Sequence, residues 1–83
     1  MVIKYGKEMD PLKRIRLAQG DRIRKARTPK MSITELAEAC GVTPGAVTQW
    51  ETGLFTPRQA MQIKIARALD VPHSFLFGMD EVA

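Results

Sequence analysis

The chain has 83 residues, 45% of them hydrophobic, with one Trp, one Tyr and three Phe; this suffices for one small domain with a modest core and is too little to enclose a typical active-site cleft. The formal net charge is +4, and it is unevenly placed: ten of the thirteen Lys and Arg but only three of the nine acids lie in residues 1–30, a balance of +7 against −3 for the remainder. No apolar run approaches the roughly 18–20 residues of a membrane span, residues 1–10 lack the apolar stretch of a signal peptide, and the single cysteine, Cys40, excludes an intrachain disulfide and a Cys-rich metal knuckle.

In chain order, residues 1–10 form an N-terminal arm, read either as disordered or as a short strand because Val2, Ile3 and Tyr5 have some β character. Asp10-Pro11 is a helix start, with Asp as N-cap and Pro at the first helical position. Leu12, Ile15, Gln19, Ile23 and Ala26 then recur every three to four residues, which predicts a helix over residues 11–27 ended by Pro29. Gly20 weakens that helix by roughly 1 kcal/mol relative to Ala and marks a possible break. The helix carries most of the basic charge. Basic residues so concentrated point to a polyanion or to an ordinary solvated face, and the apolar stripe of Leu12, Ile15 and Ile23 is too thin for a membrane-surface helix.

Ser32 and Glu35 form a capping box for a second helix, with Met31 and Leu36 as the hydrophobic staple across it. Ile33, Leu36, Ala37 and Cys40 share its inner face, and Gly41 stops it in the left-handed conformation. Thr43 caps a third helix with Pro44 at its first position and Gly53 past its end. After a loop, Thr56-Pro57-Arg58-Gln59 repeats the capping pattern for a fourth helix to about residue 69, with Met61, Ile65, Ala66, Ala68 and Leu69 on its apolar arc and Ile63 outside it. Pro72 opens a last short turn or helix containing Phe75, Leu76 and Phe77, which Gly78 ends. Residues 79–83 form a tail, leaving residues 11–78 as the domain.

The third helix has two unlike faces. At 100° per residue, Gly45, Thr48, Gln49 and Thr52 fall within about 60° of one another, while Val47, Trp50 and Leu54 fall opposite. The front is flat, uncharged and hydrogen-bonding. An ordinary solvent face is rich in Lys and Glu, and this one has neither. Such a helix fits the major groove, where Gln can bond adenine bidentately and Thr can offer a hydroxyl, or its methyl to thymine. Ala37, four residues before Gly41, sits where the second and third helices must approach closely, and Leu36, Cys40, Val42, Val47 and Trp50 hold the pair at a steep angle.

These residues, with Arg22-Ile23-Arg24, Glu51, Pro57 and Ile65-Ala66, resemble the lambdoid-phage repressor and Cro type of helix-turn-helix domain, the XRE family, over residues 20–78. The resemblance implies an all-α, five-helix, lambda-repressor-like fold with the third helix in the major groove. It implies a phage- or prophage-type repressor acting as a homodimer on a palindromic operator in double-stranded DNA. Base contacts are expected from Thr48 and Gln49, with Thr43, Gly45 and Thr52 at the groove edge. Phosphate contacts are expected from Arg22, Arg27, Ser32, Thr34, Thr56 and Arg58. Arg27 is expected to pair with Glu51, and Ala37, Gly41, Val47, Trp50 and Glu51 to be structural. The location implied is a bacterial cytoplasm or nucleoid, bacterial or phage-encoded. The chain departs from the family pattern at Ile33, where Gln is common, at Pro44 and Gly45, where long base-contacting side chains are common, and in a link over residues 28–31 that is one residue shorter than usual.

The alternative is an antitoxin or protein-interaction module on the same fold, with a toxin or other protein partner. Dimerisation through Phe77, Met79 and Val82 and burial of these residues in core or tail remain open. One His, one Cys and no carboxylates set against a nucleophile argue against an enzyme. No catalytic, metal or cofactor residue is assigned. Trp50 reads as core rather than a base-stacking group, Cys40 as a small buried hydrophobe, and His73 as a surface residue.

Overall fold

The computed structural model describes residues 10–78, and among these residues the secondary structure is entirely helical: α1 Pro11–Arg27, α2 Ile33–Cys40, α3 Pro44–Glu51, α4 Gln59–Leu69 and α5 His73–Phe77. The expected arm up to residue 9 and the tail over residues 79–83, with Met79 and Val82, lie outside the described residues.

The first three helices begin where their caps dictate. Leu12 N donates to Asp10 Oδ1 at 2.8 Å. Ser32 and Glu35 form the reciprocal box, Glu35 N donating to Ser32 Oγ and Ser32 N to Glu35 Oε1. Ala46 N donates to Thr43 Oγ1 at 3.2 Å. Gly41 ends α2 at φ 73°, with Val42 N returning to the Ala37 carbonyl, the left-handed stop that a Cβ disfavours.

Ile23, Leu36, Val47, Ile65, Leu69 and Leu76 are fully buried, one or two from each helix, and Ala37, Cys40, Trp50 and Ala66 complete the core. Through it α1 packs on α3 and α5, α2 on α3 and α4, and α4 on α5. Burial pushes the Cys40 thiol up from its ordinary range, against a smaller opposing pull from Lys64. Cys40 in the folded chain is therefore expected to react with iodoacetamide more than about a thousandfold slower than in urea, since access requires opening against the ~5 kcal/mol of a small domain. Labelling rates followed by mass spectrometry check this.

Four expectations about local structure are corrected. Gly20 does not break α1, because it is a point of close approach to α3, described below. Leu12 is 61% exposed rather than part of the buried stripe: α1 has 17 residues against eight in α3, about 25 Å against about 12 Å, so its first turn outruns its partner. Leu54 is 58% exposed because α3 ends at Glu51 with Thr52 as C-cap, so the helical angle no longer sets its direction. Finally, α4 begins at Gln59 rather than after a Thr56 cap, and its N-cap, Arg58, makes no side-chain cap bond. The Thr56 hydroxyl instead donates to Gln19 Oε1 at 3.5 Å, and the Pro57 carbonyl accepts from Gln62 Nε2 at 3.0 Å.

Candidate nucleic-acid interface

The fold grips α3 from behind and leaves its front bare. Val47 is fully buried and Trp50 is 7% exposed. Gly20 of α1 lies directly against the end of α3, so close that a Cβ on it would stand 2.4 Å from the Trp50 carbonyl oxygen and 2.6 Å from that of Glu51. The opposite side presents Thr43, Gly45, Thr48, Gln49 and Thr52, all exposed. They are not equally free to bond a ligand. Thr43 Oγ1 accepts from Ala46 N as the N-cap, leaving its hydroxyl proton available. Thr52 donates its proton to the Thr48 carbonyl at 2.9 Å, so it can offer outward only its methyl and oxygen lone pairs. A Cβ on Gly45 would meet only Thr43 Oγ1 at 3.8 Å, so the backbone there is open to close approach. The Thr48 and Gln49 side chains have no hydrogen-bond partner among the described residues. They are the two side chains on this face whose whole hydrogen-bonding capacity is free to exchange water for a base edge.

The residues expected at phosphates divide by how far the fold has engaged them. Ser32, Thr34, Thr56 and Arg58 are exposed. Arg27 is engaged on three sides: Nε donates to Glu51 Oε2 at 2.5 Å, Nη2 to Glu51 Oε1 at 3.1 Å and Nη1 to the Met31 carbonyl at 3.1 Å. The two side chains are 11% and 6% exposed, and the hydrogen bond to the Glu51 carboxylate, against an opposing effect of burial, raises the guanidinium from its already high ordinary range. Two of its five N–H groups remain. Arg22, also expected at a phosphate, is anchored within the fold. Its Nε and Nη2 donate to the Leu76 carbonyl at 3.1 and 2.9 Å, fastening α1 to α5.

Arg22 is one of three such fasteners. Arg16 Nε donates to the Gly53 carbonyl just past α3 at 3.0 Å, and Lys30 Nζ donates to the Leu69 carbonyl at the end of α4. Three cations of the first 30 residues thus sit at the carboxyl ends of three different helices, where free carbonyls and the negative dipole end favour them. Arg24 and Lys25 pair with Asp21 at 2.6 and 3.0 Å, and the hydrogen bond from Lys25, with Arg24 assisting, holds the Asp21 carboxyl below its ordinary range. Among the Lys and Arg of α1, only Lys13 and Arg14 stand exposed without such a contact among the described residues. Of the eight described Lys and Arg in residues 10–30, three thus fasten helices, Arg27 pairs with Glu51 and the other four lie on the exposed surface. His73, expected at the surface, is half-buried, bonded through Nε2 to Gln62 Oε1 at 2.7 Å and set against the Phe77 ring.

Beside the front of α3 lies a shallow groove whose lining includes Gln49, Phe55, Arg58 and Met61. Sequence periodicity does not reach its Phe55 wall, which belongs to a non-helical turn.

Compared with known proteins, residues 23–76 match the model of the helix-turn-helix family. In structure the chain is similar to the clp gene regulator ClgR from Corynebacterium glutamicum, with 27% identity and a TM-score of 0.72 over 80% of this chain and 87% of that one. It is also similar to the restriction-modification controller protein C.AhdI from Aeromonas hydrophila, with 29% identity and a TM-score of 0.73 over 78% of this chain and 96% of that one. No curated protein matches the chain in sequence.

Proposed function

The chain belongs to the helix-turn-helix family of the Cro/repressor (XRE) type and is a DNA-binding transcription regulator; on that premise we propose that it is a repressor, of the kind phages and prophages encode, that binds a palindromic operator as a homodimer. In this proposal α3 enters the major groove, Thr48 and Gln49 read base edges, and Thr43, Gly45 and Thr52 line the groove edge. Ser32, Thr34, Thr56, Arg58 and the two remaining N–H groups of Arg27 meet phosphates, while Arg22 supports α5. The observation that carries the proposal is the two-faced α3, with Val47 and Trp50 buried behind an exposed, uncharged front. Ile63 on α4 and Phe75 on α5, 41% and 46% exposed, support a face for a second copy. Phe77, half-buried against the core, suits that role less well.

Selection of the full chain against randomised duplex DNA tests this. A palindromic consensus is expected, with half-sites about 34 Å apart. Gln49→Ala is expected to flatten preference at one base pair in each half-site, a loss of roughly 1–3 kcal/mol of discrimination, while Trp50 emission and helicity stay unchanged. An unaltered consensus would remove Gln49 from base readout. A monomer in sedimentation that binds no preferred sequence would point instead to the antitoxin-type use of the fold, with a different protein on the Ile63 and Phe75 faces.

A further inference from the structure

The start of α4 is fixed from an unusual direction. Its N-cap, Arg58, makes no side-chain cap bond and has an extended backbone, at φ −63° and ψ 159°. The residue before it, Pro57, is buried and has no N–H, so its carbonyl is the polar group by which the backbone there can be held. Gln62, in the first turns of α4, holds it. Gln62 Nε2 donates to the Pro57 carbonyl at 3.0 Å, and Gln62 Oε1 lies 2.7 Å from His73 Nε2 on α5. The direction of this chain is forced. A carbonyl only accepts, so the amide must turn its NH2 to Pro57 and its oxygen to His73, whose Nε2 must then carry the proton. The Phe77 ring fixes the His73 ring in turn, with centroids 5.2 Å apart, and Arg22 fastens α5 itself through the Leu76 carbonyl. Gln62 and His73 are both half-buried. Apolar side chains would fill that space without needing partners; the polar pair adds a fixed direction.

Resting on the reading above, in which Arg58 meets a phosphate, we infer that Gln62 and His73 are positioning residues for DNA binding. Without touching DNA themselves, they set the backbone from which Arg58 projects, and so couple α5 to the phosphate grip. The Arg58 side chain makes no hydrogen bond or ion pair among the described residues, so it is ordered only when it binds, at an entropic cost. A backbone held at its base leaves less to order. The other holds on this loop lie upstream: Leu54 N and Phe55 N donate to the Gln49 carbonyl, and the Thr56 hydroxyl reaches Gln19 only at 3.5 Å, the outer limit of a hydrogen bond. The bond from Gln62 is the side-chain bond adjacent to Arg58, and its other end is on α5. Because a phosphate contact carries no sequence information, the pair acts on affinity and leaves base preference alone.

The test titrates the full chain with a duplex taken from the selection and with a scrambled duplex, across a salt series. Arg58→Ala is expected to weaken binding to both and to make the salt slope shallower by about one unit. Gln62→Leu, which keeps the volume and removes both bonds, is expected to weaken both about fivefold and to move the slope in the same direction. Its melting temperature should stay or rise, since leucine is a good helix former and fills apolar space, so the loss of affinity cannot come from a weaker fold. In an Arg58→Ala background Gln62→Leu should change nothing further, because the contact it positions is gone. His73→Phe keeps a ring against Phe77 and leaves the amide unlatched; it should weaken binding about threefold, again only where Arg58 is present. Wild-type affinity in Gln62→Leu overturns the inference. So does a loss of the same size in the Arg58→Ala background, and so does a loss that follows lowered melting in both Gln62→Leu and His73→Phe. These outcomes leave the regulator reading intact. Arg58→Ala with unchanged affinity and slope removes Arg58 from the phosphates and this inference with it, and a wild-type chain that binds no selected duplex brings down the DNA reading as well.

Discussion

Gly20→Ala is expected to destabilise the chain by about 3 kcal/mol or more, the upper end of what overpacking a core costs, and to lower the melting temperature by more than about 12 °C in a domain of this size. The added methyl would have to stand 2.4 Å from the Trp50 carbonyl oxygen, 2.6 Å from the Glu51 carbonyl oxygen and 2.8 Å from the Glu51 carbonyl carbon. All three are backbone atoms, so no side-chain rotation relieves the clash and α1 must move away from α3. The same shift would loosen the seat of the reading helix. Gly45→Ala is the matched control. Its new methyl meets nothing nearer than Thr43 Oγ1 at 3.8 Å, and it should stabilise α3 by up to about 0.5–1 kcal/mol through helix propensity. Urea unfolding followed by the emission of Trp50, the single tryptophan, reads both variants. If the two glycines respond alike, the close approach of α1 to α3 is wrong.

The contrast between these glycines shows what the sequence could and could not convey. Helix starts in α1, α2 and α3 were legible because Asp10, Ser32 and Thr43 act on N–H groups two or three residues away, a purely local interaction. The buried back and polar front of α3 were legible for the same reason, since 100° per residue fixes both. Gly20 read as a weak point because only propensity is local; its reason for being glycine lies in α3, about thirty residues on. The fastening role of part of the basic surplus is non-local in the same way. Charge counts do not reveal that Arg16, Arg22 and Lys30 can each reach the carboxyl end of another helix. The start of α4 slipped because Thr56 and Pro57 find partners in Gln19 and Gln62, interactions that compete with the capping pattern they resemble. The Arg27–Glu51 pair lies between the two cases. Its residues are 24 positions apart, and it was expected only from the family resemblance.

That pair is where the second large effect is expected. Arg27→Met removes both guanidinium bonds from the Glu51 carboxylate, which is 6% exposed, and leaves the Met31 carbonyl without its Nη1 donor. An uncompensated carboxylate at that depth costs about 3–5 kcal/mol, comparable with the whole stability of a domain this small. The damage is expected to be asymmetric. Glu51→Gln keeps an acceptor for one Arg27 N–H and should cost less. Arg27→Met combined with Glu51→Leu removes both charges and fills the volume with apolar surface, which should recover most of the loss. If the double variant is as unstable as Arg27→Met alone, the penalty does not come from a stranded charge, and packing around the Arg27 stem is the cause. The double variant also separates architecture from DNA contact. With the fold restored, removing a phosphate-bonding cation should make the salt dependence of DNA affinity shallower by about one unit of slope. The two N–H groups that Glu51 and Met31 leave unused are the ones that would account for it. An unchanged slope in a stable double variant assigns Arg27 to the scaffold alone, and the phosphate grip then falls to Ser32, Thr34, Thr56 and Arg58.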